Sequence, residues 1–547
     1  MFRLHLRFSS TGTRRTLACA VLFVLALLLR ASFGGIYYEP ILDDTVQYIL
    51  YPTSVDYGAL IAREGMFSSR PLAALTDLFV VGRMENLFFA VILMAVMHGA
   101  SAAIFQRILS RFFSVGPVFS VIYTLLPLGC EGTYWLSAAT RVVSGLFFTA
   151  CAAAVLCRFI EKGKWWRVPL FFLLELLSFG FYEQILVLSF TLTGLIFLHY
   201  WRERRAALAW LAFLCAGIYF GFTTHFAADS PLSNRMELIF PDAPYYFHVF
   251  LPDLARQIGM SFLSAGVRTT FVGFWRGLVS CATGGIGGWL YGFAAAGLAV
   301  WYGILHWPRR CCTVVSVEGW VRALLWGLLL FLAPITPFFV IARPYFSLRS
   351  TVPSFVGAAI LIDLFFRAVI RRGRAMAAVS GAMVFVCLLG CASEIGDYKA
   401  TAAADRVLAQ TILEHEAEME GRVGFLGVKE FPVTEQNYPY HEHVASVAAA
   451  DWTLTAKLAA AKGTPLSFEA VPLTVEEIPF YRLWNRDTKR IGGFDQLWLW
   501  EDGELIRLQT EQIGEQDFRL YYPDGTLWAE IREEGDFGYL ERGIILE

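Results

Sequence analysis

Charge is scarce in this sequence, and cysteine stops early. Only 17% of the 547 residues are Asp, Glu, Lys or Arg, against 56% hydrophobic and 16% aromatic, with a mean hydropathy of +0.52. A water-soluble domain of that length carries more charge, so the composition points to helices solvated by lipid. All ten cysteines lie at or before Cys391, most of them inside apolar runs where a thiol behaves as a small hydrophobe. The region beyond therefore has no disulfide framework, and with no CxxC pair anywhere the usual spacing of a structural zinc site is missing. There is also no internal repeat, no low-complexity tract and no polybasic, aromatic-lined stretch outside the apolar segments. That last absence argues against nucleic acid as a partner.

The charge that is present is unevenly distributed. From residue 401 onward there are 27 acidic and 13 basic side chains, whereas the preceding 400 residues hold 20 acidic and 32 basic ones. The basic half is also the apolar half, so its charge reads as membrane topology.

A spanning helix needs roughly 20 mostly apolar residues. Eleven stretches qualify: 16–34, 86–106, 113–128, 138–157, 168–182, 184–200, 206–226, 283–304, 319–341, 352–369 and 376–392. The first follows Arg3, Arg7, Arg14 and Arg15 and shows no small-residue cleavage site, which predicts an uncleaved anchor with a cytoplasmic N-terminus. Threaded alternately, the cytoplasmic loops carry Arg107 and Arg111; Arg158, Lys162, Lys164 and Arg167; Arg202, Arg204 and Arg205; Arg309 and Arg310; and Arg371, Arg372 and Arg374. Every one is basic, as the positive-inside rule requires. Segment 262–280 is apolar but interrupted by Arg268 and Arg276 and is read as interfacial or re-entrant. The sequence thus predicts a polytopic α-helical membrane protein of the plasma membrane, with a membrane domain over 1–395. An acidic extracytoplasmic mixed α/β domain is expected over 396–547.

In that C-terminal region, helices are expected near 400–419 and 443–461. Strands are expected at Leu497–Trp500, Leu505–Leu508, Phe518–Tyr522 and Leu527–Ile531, punctuated by Glu501-Asp502-Gly503 and Pro523-Asp524-Gly525 turns. The first outer loop, 35–85, holds the adjacent carboxylates Asp43-Asp44 and then Arg70-Pro71-Leu72. The recurrence of Leu72, Leu75 and Phe79 predicts an interfacial helix there.

Candidate chemistry clusters in the outer loops. Two adjacent carboxylates can hold a general base or share a divalent cation, magnesium or manganese; the alternative is a solvated turn after Pro40. Tyr182-Glu183 lies at the outer junction of two apolar stretches, and Glu175 lies within one of them. Ionisable groups at membrane depth normally face a cavity or a partner. Glu131 and Trp135, with Arg141 beyond them, combine a carboxylate and an indole in the way pyranose-binding sites do, or else anchor the interface. Arg343 and Arg349 flank a tight outer loop, where an arginine fork suits a phosphate or a lipid headgroup. His225 ends another outer helix. Gly284-Gly285-Ile286-Gly287-Gly288 lacks a preceding strand and a following Lys-Ser/Thr, so helix packing is the better account than a phosphate loop. His441-Glu442-His443 lacks a third metal ligand.

Taken together, these residues resemble the GT-C superfamily of integral-membrane glycosyltransferases, and within it bacterial glucosyltransferase-type proteins that modify surface polysaccharides or lipids. The likeness covers about residues 15–395. It rests on the order of Asp43-Asp44, Arg70-Pro71-Leu72, Glu131–Trp135 and Tyr182-Glu183, all on the outer side. The resemblance implies a polyprenyl-phosphate sugar as donor, a surface glycan or lipid as acceptor, and inversion at the anomeric carbon. Asp43 would then be the general base and Asp44 an orienting carboxylate. Arg343 and Arg349 would hold the departing phosphate, and Arg70, Glu131, Trp135, Arg141, Tyr182, Glu183 and His225 would line the substrate site. The Asp-Asp pair stands where other branches have Asp-Glu. A transporter or flippase, a polymerase or ligase of lipid-linked glycans, and a non-catalytic scaffold are the competing classes. The sequence shows no inverted repeat or paired broken helices of the transporter kind.

Overall fold

The computed structural model describes residues 10–50, 70–227, 243–307, 317–341, 344–433, 444–473, 491–514 and 517–532. The chain divides into two compact units. One comprises residues 1–38 and 55–396, the other residues 39–54 and 397–547. The acidic-pair segment therefore groups with the C-terminal residues, not with the membrane helices to which its position in the sequence assigned it.

The first unit is helical. Its principal helices are α1 (Ser10–Ala31), α2 (Pro71–Phe79), α3 (Phe88–Leu109), α4 (Val118–Leu125), α5 (Leu136–Lys162), α6 (Arg167–Phe181), α7 (Glu183–His199) and α8 (Leu211–Ala227). A continuous run of α and π turns from Ala243 to Thr283 ends in α9 (Gly273–Thr283). Then come α10 (Gly285–Leu305), α11 (Val317–Leu332), α12 (Phe355–Val369) and α13 (Gly373–Glu414).

Among the described residues, seven helical stretches are long and apolar enough to cross a membrane: 88–109, 136–162, 204–225, 285–305, 317–339, 348–369 and 373–414. Their outward faces agree. Ile286, Leu290, Phe293 and Ile304 on α10 and Phe213, Leu214 and Phe220 on α8 are each about half exposed or more. In water such a surface would cost roughly 25 cal/mol per Å², a cost that a lipid solvent removes. This is a helical membrane protein.

Three of the other four expected spans form shorter or interrupted helices, and the fourth, 16–34, falls in α1, a continuous helix of 22 residues. Segment 113–128 breaks at Leu126, where ψ turns to 120° ahead of Pro127. α6 and α7 reach only 15 and 17 residues because Tyr182 between them is extended, φ −159° and ψ 129°. The apolar part of α1 is bracketed by Arg15 and Arg30, and Arg30 is buried, donating to Thr133 Oγ1 at 2.9 Å and its carbonyl at 3.0 Å. Segment 262–280 is helical throughout, and Arg276 donates to Ser393 Oγ at 3.0 Å.

Small residues set the closest crossings. A Cβ on Gly357 of α12 would lie 2.1 Å from Phe331 N and 2.5 Å from the Gly327 carbonyl of α11, so only glycine permits that approach. In the glycine run, Gly284 closes α9, Gly285 adopts φ +62°, and a Cβ on Gly288 would strike the Cys281 carbonyl at 2.4 Å. A tight turn and close packing between α9 and α10 account for it.

The second unit is α/β. The sequence places α14 (Asp451–Lys462) between β1 (Gly421–Leu426) and β2 (Phe468–Leu473), followed by β3 (Gln496–Glu501), β4 (Glu504–Gln512), β5 (Asp517–Tyr521) and β6 (Leu527–Arg532). Strand order is β2-β1-β3-β4-β5-β6; the first three are mutually parallel and the rest antiparallel. All four strands expected from alternation form, close to their expected bounds. The expected helix at 443–461 starts later because Ala450 is extended (φ −155°, ψ 154°); residue 443 lies outside the described residues. The expected span at 376–392 lies within α13, and the expected helix at 400–419 lies within it only as far as Glu414. One core packs Leu408 and Ile412 of α13 and Leu454 and Leu458 of α14 against Val423, Phe425 and Trp498; the other face buries Leu426, Val471, Leu497, Leu499 and Leu520.

Candidate functional site

Two arginine-centred clusters stand in the first unit. Pro71 at the first position of α2 suits the helix start, and Arg70 stands just before it as the non-helical N-cap, φ −139° and ψ 62°. Glu183 opens α7, where the helix dipole favours a carboxylate. The two meet in a fork: Arg70 Nε donates to Glu183 Oε2 at 2.8 Å and Nη2 to Oε1 at 2.5 Å. The guanidinium lies 4.6 Å from the centre of the Tyr182 ring.

The second cluster is looser. Glu131 belongs to a short helix, Cys130–Thr133, and Trp135 is the extended residue before α5. Arg349 lies on the 3-10 turn Leu348–Ser354, whose backbone comes within 3.3 Å of where a Cβ on Gly132 would sit. Its Nε is 3.8 Å from Glu131 Oε1, and its guanidinium is 5.2 Å from the Trp135 ring centre. Among the described residues the Arg349 guanidinium makes no hydrogen bond, and the buried Trp135 Nε1 has no acceptor. Two sets of donors with unspent capacity therefore lie side by side, and Arg349 keeps 27% of its side chain exposed.

Gln184 ties the clusters together, donating to the Pro334 carbonyl at 2.9 Å and to the Ser350 carbonyl at 3.2 Å. Tyr182 lies within electrostatic reach of both Arg70 and Arg349. Arg70, Tyr182, Glu183, Glu131, Trp135 and Arg349 thus form one neighbourhood.

No family model matches this chain, and no curated protein matches it. Any functional reading rests on the residues themselves.

Arg141 is spent elsewhere. It pairs with Asp77 of α2, Nη2 to Oδ2 at 3.0 Å, and Thr140 donates to Asp77 Oδ1 at 3.2 Å. Asp77 is fully buried and Arg141 almost so. Arg141 is thus a tie between α2 and α5, and Arg349 takes the place beside Glu131 and Trp135 that nearness in sequence gave to Arg141. Arg141→Gln should destabilise the protein by about 3–5 kcal/mol, because it takes the paired cation from a buried carboxylate. The double variant Arg141→Gln/Asp77→Asn should regain most of that, measured by thermal unfolding in detergent. Equal stability of the single variant and the parent would show that the pair carries no weight.

Glu175, within α6, is buried and accepts from Ser189 at 3.1 Å and Thr193 at 3.4 Å on α7, a satisfied helix–helix contact. His225 is exposed on the last turn of α8. Arg343 and His441-Glu442-His443 lie outside the described residues.

In the second unit, Asp43 and Asp44 begin a single helical turn, Asp43–Thr45, followed by a π turn, Val46–Leu50. Asp44 is fully buried, whereas Asp43 is partly exposed and accepts from Trp452 Nε1 of α14 at 3.4 Å. The preceding Leu42 sits at φ 44°, ψ −125°. For a leucine that conformation costs roughly 1–3 kcal/mol and persists only where surrounding contacts impose it. Among the described residues no three of His, Cys, Asp and Glu come together as a metal group, so the carboxylate pair has no third ligand there. Periodicity in the sequence carried no signal for Trp452 or Gln184.

Proposed function

We propose that the chain is a GT-C-like membrane glycosyltransferase. It moves a sugar from a polyprenyl-phosphate donor to a surface glycan or lipid acceptor at the outer leaflet of the plasma membrane. The observation that carries this reading is Arg349: a partly exposed guanidinium with unspent donors, beside the Trp135 indole and the Glu131 carboxylate. A sugar phosphate supplies the missing partners. Its phosphate oxygens accept from the arginine fork, and its ring lies against aromatic and carboxylate groups. Arg70, by contrast, is already committed to Glu183 and shapes the neighbourhood. As the phosphate leaves, negative charge grows on its oxygens, and a positioned arginine stabilises that charge more in the transition state than in the bound donor. The base, which takes the acceptor's proton as the new C–O bond forms and the bond to phosphate breaks, is assigned to Asp43 by the resemblance alone.

Purified protein given a synthetic polyprenyl-phosphate glucose and surface-glycan acceptors should form a glycosidic product. Lipid movement without a new bond would instead identify a flippase, and neither outcome a scaffold. Sidedness is checked with Thr464→Cys in a cysteine-depleted background. An impermeant maleimide should label it on intact cells, and labelling only after lysis would remove the site from the outer leaflet.

A further inference from the structure

The acidic pair is not left to hold itself. Glu39, four residues before Asp43, is gripped by two cations of the second unit. Arg406 of α13 donates through Nε at 3.1 Å and Nη2 at 2.5 Å to its two carboxylate oxygens. Lys457 of α14 lies 3.7 Å from Glu39 Oε1, and its Nζ donates to the Pro40 carbonyl at 3.4 Å. Beyond the strained Leu42, Asp43 accepts from Trp452 one turn away from Lys457 on the same helix. Beneath these contacts Asp405, the neighbour of Arg406, is fully buried and accepts from Val447 N, which fixes the end of α13 against the turn before α14.

We infer that Arg406, Lys457 and Trp452 are positioning residues, a three-point clamp by which the C-terminal unit sets the conformation of the Asp43-Asp44 loop. The physical case is that each contact restrains a different part of one short segment: Glu39 by a fork, Pro40 by its carbonyl, Asp43 by an indole N–H. Such a segment, with leucine in a disfavoured backbone region, relaxes when the external restraints go. The structural part of the inference stands on these contacts alone; its catalytic consequence rests on the proposed glycosyltransferase reading. There, a base displaced by about 1 Å loses on the order of 10²-fold in rate.

The test uses full-length protein in detergent with Arg406→Gln/Lys457→Gln, Trp452→Phe and the charge-conserving Arg406→Lys/Lys457→Arg. Amide hydrogen exchange over residues 39–50 should quicken at least tenfold in the first variant and stay near the parental rate in the charge-conserving one. Transfer from polyprenyl-phosphate glucose should lose about 10- to 100-fold in kcat with the donor KM unchanged. Trp452→Phe keeps the ring, removes the N–H, and should lower kcat less. Unchanged exchange over 39–50 in the double variant overturns the clamp, whatever the activity. Quickened exchange with parental kcat, while Asp43→Asn is inactive, overturns the positioning role. Parental transfer by both Asp43→Asn and Asp44→Asn removes the glycosyltransferase reading of the pair, and the catalytic part of the inference with it; the exchange result still decides the clamp.

Discussion

If the chain is the proposed glycosyltransferase, purified Asp43→Asn protein should transfer sugar about 10²–10⁴-fold more slowly than its parent, because an amide cannot take a proton from the acceptor hydroxyl near neutral pH. Asn nearly matches Asp in volume and can still accept from Trp452 through its carbonyl, so insertion and folding should be unaffected. The two carboxylates are not equivalent. Asp43 is partly exposed and reachable by an acceptor, whereas Asp44 is fully buried and its amide N–H is tied to the Ile41 carbonyl at 2.9 Å. The larger loss is therefore expected at Asp43, with Asp44→Asn acting mainly through the shape of the turn. Rates should be compared at equal amounts of protein with matched unfolding temperatures. Parental transfer by both variants would make Asp43-Asp44 a turn of the C-terminal unit and end the proposal that it is a base.

The other large effect is expected at Arg349. Arg349→Gln removes the guanidinium fork, and charge-assisted hydrogen bonds of this kind contribute roughly 1.5–3 kcal/mol each, about 10- to 150-fold per bond. Donor use, read as kcat/KM for the polyprenyl-phosphate sugar, should fall by that factor while acceptor KM changes little. Two controls separate a phosphate contact from a structural one. Arg349→Lys keeps the charge and loses the fork, so it should recover only part of the activity. Arg349→Gln also takes a nearby positive charge, 3.8 Å away, from Glu131, itself almost fully buried. Adding Glu131→Gln removes that penalty, and stability should recover while donor use stays poor. If donor kinetics in Arg349→Gln equal those of the parent, the arginine is a headgroup or packing contact and the donor site lies elsewhere.

Much of the architecture was legible in the sequence because it depends on local pattern. Apolar length marks a helix that lipid can solvate, and the stretches around 86–106, 138–157 and 376–392 form such helices at nearly their expected places. Alternation between glycine- and aspartate-bearing turns likewise located the four C-terminal strands, since side chains on a strand change face at every residue. Where expected spans came out short, backbone geometry intervened. The extended Tyr182 and the break at Leu126-Pro127 shorten their helices, and composition alone does not register either.

What only the tertiary structure decided is partnership. Arg70 and Glu183 lie 113 residues apart and Arg406 and Glu39 lie 367 apart, distances over which neither periodicity nor spacing carries information. For that reason Arg141, close to Glu131 in sequence, was grouped with it, although α5 aims it at Asp77 and the distant Arg349 fills the place instead. The acidic pair was assigned to the membrane domain because residues 35–85 lie between membrane helices, whereas packing joins 39–54 to the C-terminal unit. Charge, apolarity and turn chemistry act on neighbours along the chain and so can be read there. A salt bridge or an indole hydrogen bond forms only once folding has brought the distant groups within about 3 Å, and that is a property of the packed chain.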